Sequence, residues 1–224
     1  MLNLLFTETS LELVPGEILL HPSVRRNAKR RNKRPDETLL DRSLHHYAMD
    51  KLRDSEKRGR PDIIHFCLLL AMGSPLNRMD KLRVSFNTIN GFSVYVDPSA
   101  RPPRDCIRFN NLMEQLLIHG AVPIEGEPLM RLNSESLGKQ VQRLKPSRVI
   151  ALSSHGDQSS LEEIANMLAI ESNPVVFIGA YPTGPMSPKV LELVDEVYSV
   201  YPESLEAWTV TSRIIYEYEK QLNP

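Results

Sequence analysis

The stretch VIALSSHGDQSSLEEIANMLAIESNPVVFIG, residues 149–179, decides the fold class of this sequence. Its two ends, VIAL and VVFIG, are short apolar runs of the kind found in strands that are covered on both faces. Between them, Ser160-x-x-Glu163 is a capping box, which predicts the start of a helix. A third β-rich run, VYSV, follows at 197–200. Strands that alternate with helices predict an α/β fold, with a mainly parallel sheet and helices on both faces.

The N-terminal third is predicted to begin with a strand and a helix. Residues 2–14 form a β-rich run, and Leu39 to Leu52 place apolar residues at helical spacing, with Leu44 and Tyr47 on the buried face. No internal repeat and no linker divides the chain. We therefore predict a single domain over residues 1–224.

The middle of the chain predicts two helices separated by a β-hairpin elaboration. Pro61 suits the first turn of a nearly all-buried helix that ends at Gly73. The runs LRVSF and FSVYV flank Asn90-Gly91, which is a strong signal for a tight turn. An amphipathic helix then closes at Gly120.

The charge of the chain is distributed unevenly. The net charge is −1, but residues 1–120 carry 19 Lys and Arg against 14 Asp and Glu, whereas residues 121–224 carry 8 against 14. Seven of the basic residues lie in VRRNAKRRNKR, residues 24–34, which shows no apolar period and is predicted to be a loop or a frayed arm. A basic half suits a polyanion, although a solvated surface would look the same.

Several function classes are excluded by absent patterns. The sequence has no G-x-G, no G-x-x-x-x-G-K-[ST] and no metal-ligand spacing of His or Cys. Its apolar runs are shorter than the roughly 20 residues of a membrane span, and the N-terminus does not resemble a secretory signal. We therefore expect a cytoplasmic protein without a metal or a membrane, whose two cysteines, Cys67 and Cys106, are reduced.

Two groups of charged residues suggest a site for a polyanion. Arg101, Arg104 and Arg108 lie within eight residues, in a segment stiffened by prolines. Guanidinium groups pair with phosphates and stack on bases, so this series could follow a nucleic-acid backbone. A solvated loop with ion pairs to Asp97 and Asp105 is the alternative. Arg60-Pro61-Asp62 could present a fixed polar pair, or could simply begin a helix.

Three loops after the late strands suggest a ligand site. They are 152–156, 179–184 and 199–202, and two of them contain glycine. Parallel α/β sheets bind ligands beyond the carboxyl ends of their strands, where glycines allow the backbone to approach closely. Such loops could hold an adenosine between Leu152, Val200 and Leu205. Ordinary turns have the same composition.

The combination of these segments is recognisable. The run RPDIIHFCLLLAMGSPLNRMDKLRVSFNTINGFSVYVDPSARPPRDCIRFNNLMEQLL, residues 60–117, resembles the signature of the pseudouridine N1-methyltransferases of small-subunit rRNA. Its most specific parts are RPD-x-x-H, SPLN and V-x-P-x-x-R-x-P-R-x-x-x-R, the last from Val96 to Arg108. The late block VVFIGAYPTG and the YP after a strand resemble the cofactor site of the same family, within the α/β-knot (SPOUT) superfamily.

The resemblance implies a fold, a reaction and partners. It implies a C-terminal trefoil knot, a homodimer, and S-adenosylmethionine as methyl donor without a metal. The implied reaction is methylation of N1 of a pseudouridine in a hairpin loop of small-subunit rRNA, with a role in small-subunit biogenesis. Small-subunit ribosomal proteins are further potential partners, and DNA is not expected to bind. The cofactor-binding knot would span about 149–224, and RNA-binding elements would lie at about 24–34 and 60–108.

The same resemblance assigns individual residues. Arg60 and Asp62 would be catalytic, with Asp62 either accepting the proton of N1 or only fixing Arg60. The positions that match RNA-contacting residues of the family are Arg60, Asp62, Arg101, Arg104 and Arg108. The positions that match its cofactor-binding residues are Leu152, Gly179, Gly184, Tyr198, Ser199, Val200, Tyr201, Pro202 and Glu203. The chain departs from the usual Y-P-L-S-A of the family, because Glu203 replaces an apolar residue.

Two other functions fit these patterns. One is an α/β-knot methyltransferase that acts on another rRNA base or on a ribose. The other is an rRNA-binding assembly factor whose catalysis is dispensable.

Overall fold

The computed structural model describes residues 1–222 and contains, within them, one eight-stranded sheet. The strands are β1 (Leu2–Thr9), β2 (Leu82–Thr88), β3 (Ser93–Val96), β4 (Ala121–Val122), β5 (Met130–Asn133), β6 (Arg148–Gln158), β7 (Pro174–Gly179) and β8 (Glu196–Ser199). The helices are α1 (Pro22–Arg30), α2 (Arg42–Met49), α3 (Pro61–Gly73), α4 (Pro75–Arg78), α5 (Cys106–His119), α6 (Leu137–Leu144), α7 (Leu161–Ala169), α8 (Pro188–Leu191) and α9 (Ala207–Leu222). Short 3-10 helices span Gly16–Ile18, Pro35–Glu37 and Ser55–Lys57.

The sheet has a parallel part and an antiparallel part. The strand order is β4-β5-β3-β2-β1-β7-β6-β8, and β2, β1, β7, β6 and β8 run parallel. The predicted hairpin of β2 and β3 is confirmed, with Gly91 in the left-handed conformation at its turn. β5 and β4 extend the hairpin and were not predicted, because their short segments lack a clear alternating pattern.

Helices cover both faces of the sheet, as predicted. Along β1 the side chains alternate, because successive residues of a strand point to opposite faces. Leu4 and Phe6 belong to a large core cluster with residues of α3, α5, α7 and α9. Leu5 belongs to a smaller cluster with Val141 of α6 and Val190 of α8.

The C-terminal segment crosses a loop of β6. Tyr198 of β8 pairs with both Leu152 and Asp157 of β6, so residues 153–156 bow out between the two pairings. Gly156 lies against the backbone of β8, where an added Cβ would be 2.5 Å from the carbonyl carbon of Val197. This close approach is the crossing that a C-terminal knot requires, and only glycine fits there.

The basic segment 24–34 is not a loop or a frayed arm, and that prediction was wrong. Its first part lies in α1, which begins after the cap His21 and buries Val24 and Ala28, one turn apart. Its second part is held by Glu114 of α5, whose buried carboxylate pairs with Arg31 and Lys33, both at 2.5 Å. The sequence pattern concealed this packing because only one narrow face of the helix is apolar.

Two smaller predictions about burial were also wrong. α2 is shorter than expected, and Tyr47 and Leu44 are exposed, because His45 and Met49 take the inward positions instead. α3 is not buried all round, since Phe66 and Leu70 are exposed.

Candidate functional site

The three loops predicted to bind a ligand meet in one cleft. They follow β6, β7 and β8, and the cleft between them has a volume of about 170 Å³. Six of the nine predicted cofactor positions line it: Leu152, Gly179, Gly184, Val200, Tyr201 and Glu203. The carboxyl ends of these parallel strands thus converge as such sheets require.

The remaining three predicted cofactor positions, Tyr198, Ser199 and Pro202, do not line the cleft. Ser199 is fully buried, donates to the carbonyl of Tyr201 at 2.9 Å and accepts from the Gln158 amide at 3.0 Å. The Tyr198 hydroxyl donates to the sulfur of Met167. Tyr198 and Ser199 therefore support the wall formed by residues 200–205 from behind.

The middle loop depends on a glycine. A Cβ on Gly179 would be 2.7 Å from the ring of Tyr181, so the ring packs directly on the backbone. Gly184 adopts a φ of +97°, which L side chains rarely adopt. Burial, together with the charge of Glu8, raises the pKa of the Tyr181 hydroxyl and keeps it neutral. The middle wall of the cleft thus combines glycine backbone with an uncharged aromatic ring.

Some residues of the cleft could not be found from the sequence. Met186, Ala207 and Val210 complete its apolar lining, and they lie outside the three predicted loops. Nothing in the local pattern distinguishes them from ordinary core residues.

The three arginines of the 101–108 series are all exposed, on a loop that buried groups hold from below. His65 of α3 donates from Nε2 to the Pro103 carbonyl at 2.7 Å and stacks on Phe109 at 4.1 Å between ring centroids. Asn77 donates to the Pro98 carbonyl at 2.9 Å. The RPD-x-x-H and SPLN motifs therefore position the arginine loop.

The predicted alternative for this loop was ion pairing with Asp97 and Asp105, and it is wrong for the described residues. Asp97 accepts from the backbone and hydroxyl of Ser99, and Asp105 caps α5 by accepting from the Arg108 backbone at 2.9 Å. The guanidinium groups of Arg104 and Arg108 make no hydrogen bond or ion pair within residues 1–222.

Arg60 and Asp62 form a fixed pair. Arg60 donates from Nε and Nη2 to the two carboxylate oxygens of Asp62 at 2.8 and 2.7 Å. This hydrogen bonding, with the charges of Asp62 and Glu206, raises the pKa of Arg60. Both side chains keep more than a third of their surface exposed, so the pair faces solvent. The two parallel hydrogen bonds fix the orientation of the guanidinium group relative to the carboxylate.

One buried residue links this pair to the cleft. The Arg60 backbone N–H donates to the Ser10 hydroxyl at 2.9 Å, and the Ser10 N–H donates to the Ala180 carbonyl at 2.8 Å. Ala180 directly follows Gly179 in the middle loop of the cleft. The backbone of Arg60 is therefore tied, through Ser10, to the middle loop of the cleft.

Two classes of feature are not found among residues 1–222. There is no group of three or more His, Cys, Asp or Glu side chains arranged to hold a metal ion. No helix in this part of the chain is both long enough and apolar enough to cross a lipid bilayer.

The parallel sheet, the C-terminal crossing and the loop-lined cleft define an α/β-knot methyltransferase. Comparison with known proteins identifies the family. The model of the EMG1/NEP1 methyltransferase family matches residues 4–219, and the chain belongs to that family.

Individual relatives of the chain belong to the same family. The chain is 42% identical to the ribosomal RNA small subunit methyltransferase Nep1 of Staphylothermus marinus, over 96% of this chain and 93% of that protein. It is 44% identical to the Nep1 of Saccharolobus solfataricus, over 95% and 94%. The crystal structure of Archaeoglobus fulgidus Nep1 bound to S-adenosylhomocysteine superposes with a TM-score of 0.87 at 36% identity, covering 99% of this chain and 98% of that one.

Proposed function

We propose that this protein transfers a methyl group from S-adenosylmethionine to N1 of a pseudouridine in a hairpin loop of small-subunit rRNA. The observation that carries the proposal is the bridge through Ser10, which joins a main-chain cleft to the Arg60–Asp62 pair. The proposal is supported by relatives named as small-subunit rRNA methyltransferases and by a relative's structure with S-adenosylhomocysteine.

The cleft suits the methyl donor. Gly179 and Gly184 offer backbone that side chains would obstruct, and Leu152 and Val200 offer apolar walls for an adenosine. Tyr201 and Glu203 border the opening, where Glu203 can face an amino group or ribose hydroxyls. Tyr198, Ser199 and Pro202 contribute to cofactor binding through their backbone atoms rather than through their side chains. The cofactor supplies a methyl group on a positively charged sulfur, so the protein mainly aligns the reactants and excludes water.

The RNA binds beside the cleft. Arg101, Arg104 and Arg108 contact the phosphates of the loop, since exposed guanidinium groups are suited to phosphate. Those of Arg104 and Arg108 have no partner within residues 1–222, and that of Arg101 donates to the backbone carbonyls of Pro98 and Ala100. α1 adds general attraction through Arg25, Arg26, Lys29 and Arg30, all of them exposed. Because RNA sequence is recognised mostly in single strands, a flipped-out loop base would reach Arg60 and Asp62.

Asp62 is the proposed proton acceptor. N1 of pseudouridine carries a proton that must leave when the methyl group is added, and a carboxylate held in place can receive it. Arg60 holds a phosphate or a base carbonyl. The bidentate bond between the two residues also favours a second role, in which Asp62 only orients Arg60 and water takes the proton.

The active form is proposed to be a cytoplasmic homodimer that assists small-subunit assembly, beside ribosomal proteins and without binding DNA. Phe66 and Leu70 of α3 and Tyr216 of α9 leave a shared apolar face exposed, which a second copy would cover. Light scattering on the purified protein tests the stoichiometry directly, and a monomer at micromolar concentration would contradict it.

The test of the reaction is methyl transfer from labelled S-adenosylmethionine to a short hairpin that carries either pseudouridine or uridine at the loop position. Transfer to the pseudouridine hairpin alone is expected. Transfer to both would indicate a knotted methyltransferase acting on another base or on a ribose. Tight binding without transfer would indicate an assembly factor.

A further inference from the structure

Lys57 occupies an unusual position beneath the cleft. It ends the 3-10 helix before Arg60, and only 14% of its side chain is exposed. Its ammonium group donates to the Pro185 carbonyl at 2.6 Å and to Glu8 at 3.2 Å. It also lies 4.3 Å from the centre of the Tyr181 ring, close enough for a cation–π contact.

Glu8 holds the other end of the same loop. Its carboxylate accepts from the backbone of Ser187 at 3.1 Å as well as from Lys57. Glu8, the next-to-last residue of β1, has a φ of +49°, a left-handed conformation that is unfavourable for a non-glycine residue. Strain of this kind persists only where the surrounding structure imposes it, and it is concentrated at functional sites.

The loop that these two residues hold is the middle wall of the cleft. It runs from Tyr181 to Ser187, and Tyr181, Gly184 and Met186 all line the cleft. Lys57 contacts this loop at its start, through the Tyr181 ring, and near its end, through Pro185. Gly184 lies between these points, where an added Cβ would be 3.4 Å from Cε of Lys57. Ionic and main-chain contacts therefore fix a segment that lies in neither a helix nor a strand.

We propose that Lys57, with Glu8, is a positioning residue for the methyl donor: it holds residues 181–187 in the conformation that forms the cofactor cleft. The inference rests on the proposed function, because the cleft must bind the cofactor for the loop to matter. Lys57 is not in contact with the RNA-binding arginines. Arg60, three residues later, is held independently by Ser10 and Asp62.

The test uses the full chain with Lys57→Ala, Lys57→Arg and Glu8→Gln. Lys51→Ala is the matched control, because Lys51 is exposed in the same segment and makes no ion pair within residues 1–222. Calorimetry measures S-adenosylhomocysteine binding, a filter assay measures hairpin binding, and hydrogen exchange reports the order of residues 181–187. Methyl transfer gives KM for the donor and kcat separately.

We expect Lys57→Ala to weaken S-adenosylhomocysteine binding on the order of tenfold, because a charge-assisted hydrogen bond and a loop anchor are lost. Its KM for the donor should rise more than its kcat falls, exchange should accelerate in residues 181–187, and hairpin affinity should remain. Lys57→Arg should recover part of the affinity. Lys57→Ala combined with Glu8→Gln should be little worse than Lys57→Ala alone, because Lys57→Ala already removes the ion pair between the two residues and an amide oxygen at position 8 can still accept from the Ser187 N–H.

Two results would overturn the inference. One is unchanged S-adenosylhomocysteine affinity in Lys57→Ala. The other is an equal loss of hairpin and cofactor binding with a lowered melting temperature, also in Lys57→Arg, since that would reduce Lys57 to a general stabilising residue. Failure of the proposed function is a different result: the unaltered protein would then bind no S-adenosylhomocysteine or methylate no hairpin.

Discussion

The cofactor cleft and the arginine loop present their chemistry in opposite ways. The cleft is lined largely by backbone and small or apolar side chains at the ends of β6, β7 and β8, with glycines where contact is closest. The arginine loop presents long charged side chains that point into solvent. A cleft of this kind is sensitive to added atoms, whereas the arginine loop is sensitive to removed charges.

What the two regions share is support from buried residues far away in the sequence. His65 and Asn77 hold the carbonyls of Pro103 and Pro98 below the arginine loop. Lys57 and Glu8 hold the loop of the cleft. Ser10 joins the cleft to the Arg60–Asp62 pair. A substitution in that pair should therefore affect chemistry, and substitutions away from it should affect binding or folding alone.

The largest effect is expected at the Arg60–Asp62 pair. Asp62→Asn should lower kcat about 10²- to 10⁴-fold, the range associated with loss of a general base, while hairpin affinity stays within a few fold. Single-turnover transfer to the pseudouridine hairpin measures this, and Asp50→Asn, an exposed carboxylate, is the control. Parallel losses of turnover and hairpin affinity would instead assign Asp62 to orienting Arg60.

The next effect tests the sensitivity to added atoms of the crossing between β6 and β8, beside the cleft. Gly156→Ala should destabilise the protein by about 3 kcal/mol or more, because its Cβ would be 2.5 Å from backbone atoms of β8, which cannot move aside as a side chain can. Gly138→Ala is the matched control. It lies in α6, its Cβ would meet Leu193 at an ordinary 3.7 Å, and alanine should stabilise the helix by about 0.5–1 kcal/mol.

Urea unfolding of the two variants measures both changes. Equal and small changes in the free energy of unfolding would show that the crossing at β8 tolerates a methyl group, and would remove this contrast between the crossing and the rest of the protein.

Part of the architecture was predictable because its signals are local. The capping box at Ser160 and the tight turn at Gly91 each specify a structure within a few residues, and both are present. The three loops of the cleft followed from the rule that parallel strands end at one edge. The knot and the reaction entered only through resemblance, since no local pattern encodes a chain crossing.

What the sequence could not show is long-range support. Lys57 and Pro185 are separated by 128 residues, and Arg31 and Glu114 by 83. The basic segment 24–34 looked unstructured because its charges dominate its composition, while the buried carboxylate that neutralises two of them lies on α5. A buried Glu in an amphipathic helix gives no sign in the sequence of the partner it will find.

The arginine loop provides the third prediction. Arg104→Ala and Arg108→Ala should each weaken hairpin binding by about tenfold. Each should also reduce, by about 0.7, the steepness with which the logarithm of the binding constant falls with the logarithm of the salt concentration, as expected for the loss of one phosphate contact with a single strand. S-adenosylhomocysteine affinity should not change. Arg53→Ala removes an equally exposed charge outside the site and serves as control. A salt slope that is unchanged in both variants would show that these arginines do not contact phosphate.

The smallest effect concerns whether α1 is a docked part of the basic surface. His45 of α2 is fully buried, where its Nδ1 accepts from the Asp41 backbone at 3.1 Å and its Nε2 contacts Asn27 of α1 at 3.2 Å. Burial lowers the pKa of His45 below its ordinary value of 6.5; the charge of Asp41 opposes this, and those of Arg31 and His21 add to it.

Because the folded protein resists protonation of His45, the unfolded chain binds more protons just below pH 6.5. The free energy of unfolding should therefore be highest above that pH and fall as the pH drops through it, by at most about 1.4 kcal/mol per pH unit from this residue. His45→Asn keeps an acceptor near the Asp41 N–H and should flatten the slope, whereas His46→Gln, at an exposed neighbour, should not. Denaturant unfolding at several pH values between 5 and 7.5 measures this. If His45→Asn leaves the slope unchanged, another group causes the pH dependence, and the contact of His45 with Asn27 does not couple the docking of α1 to the protonation of His45.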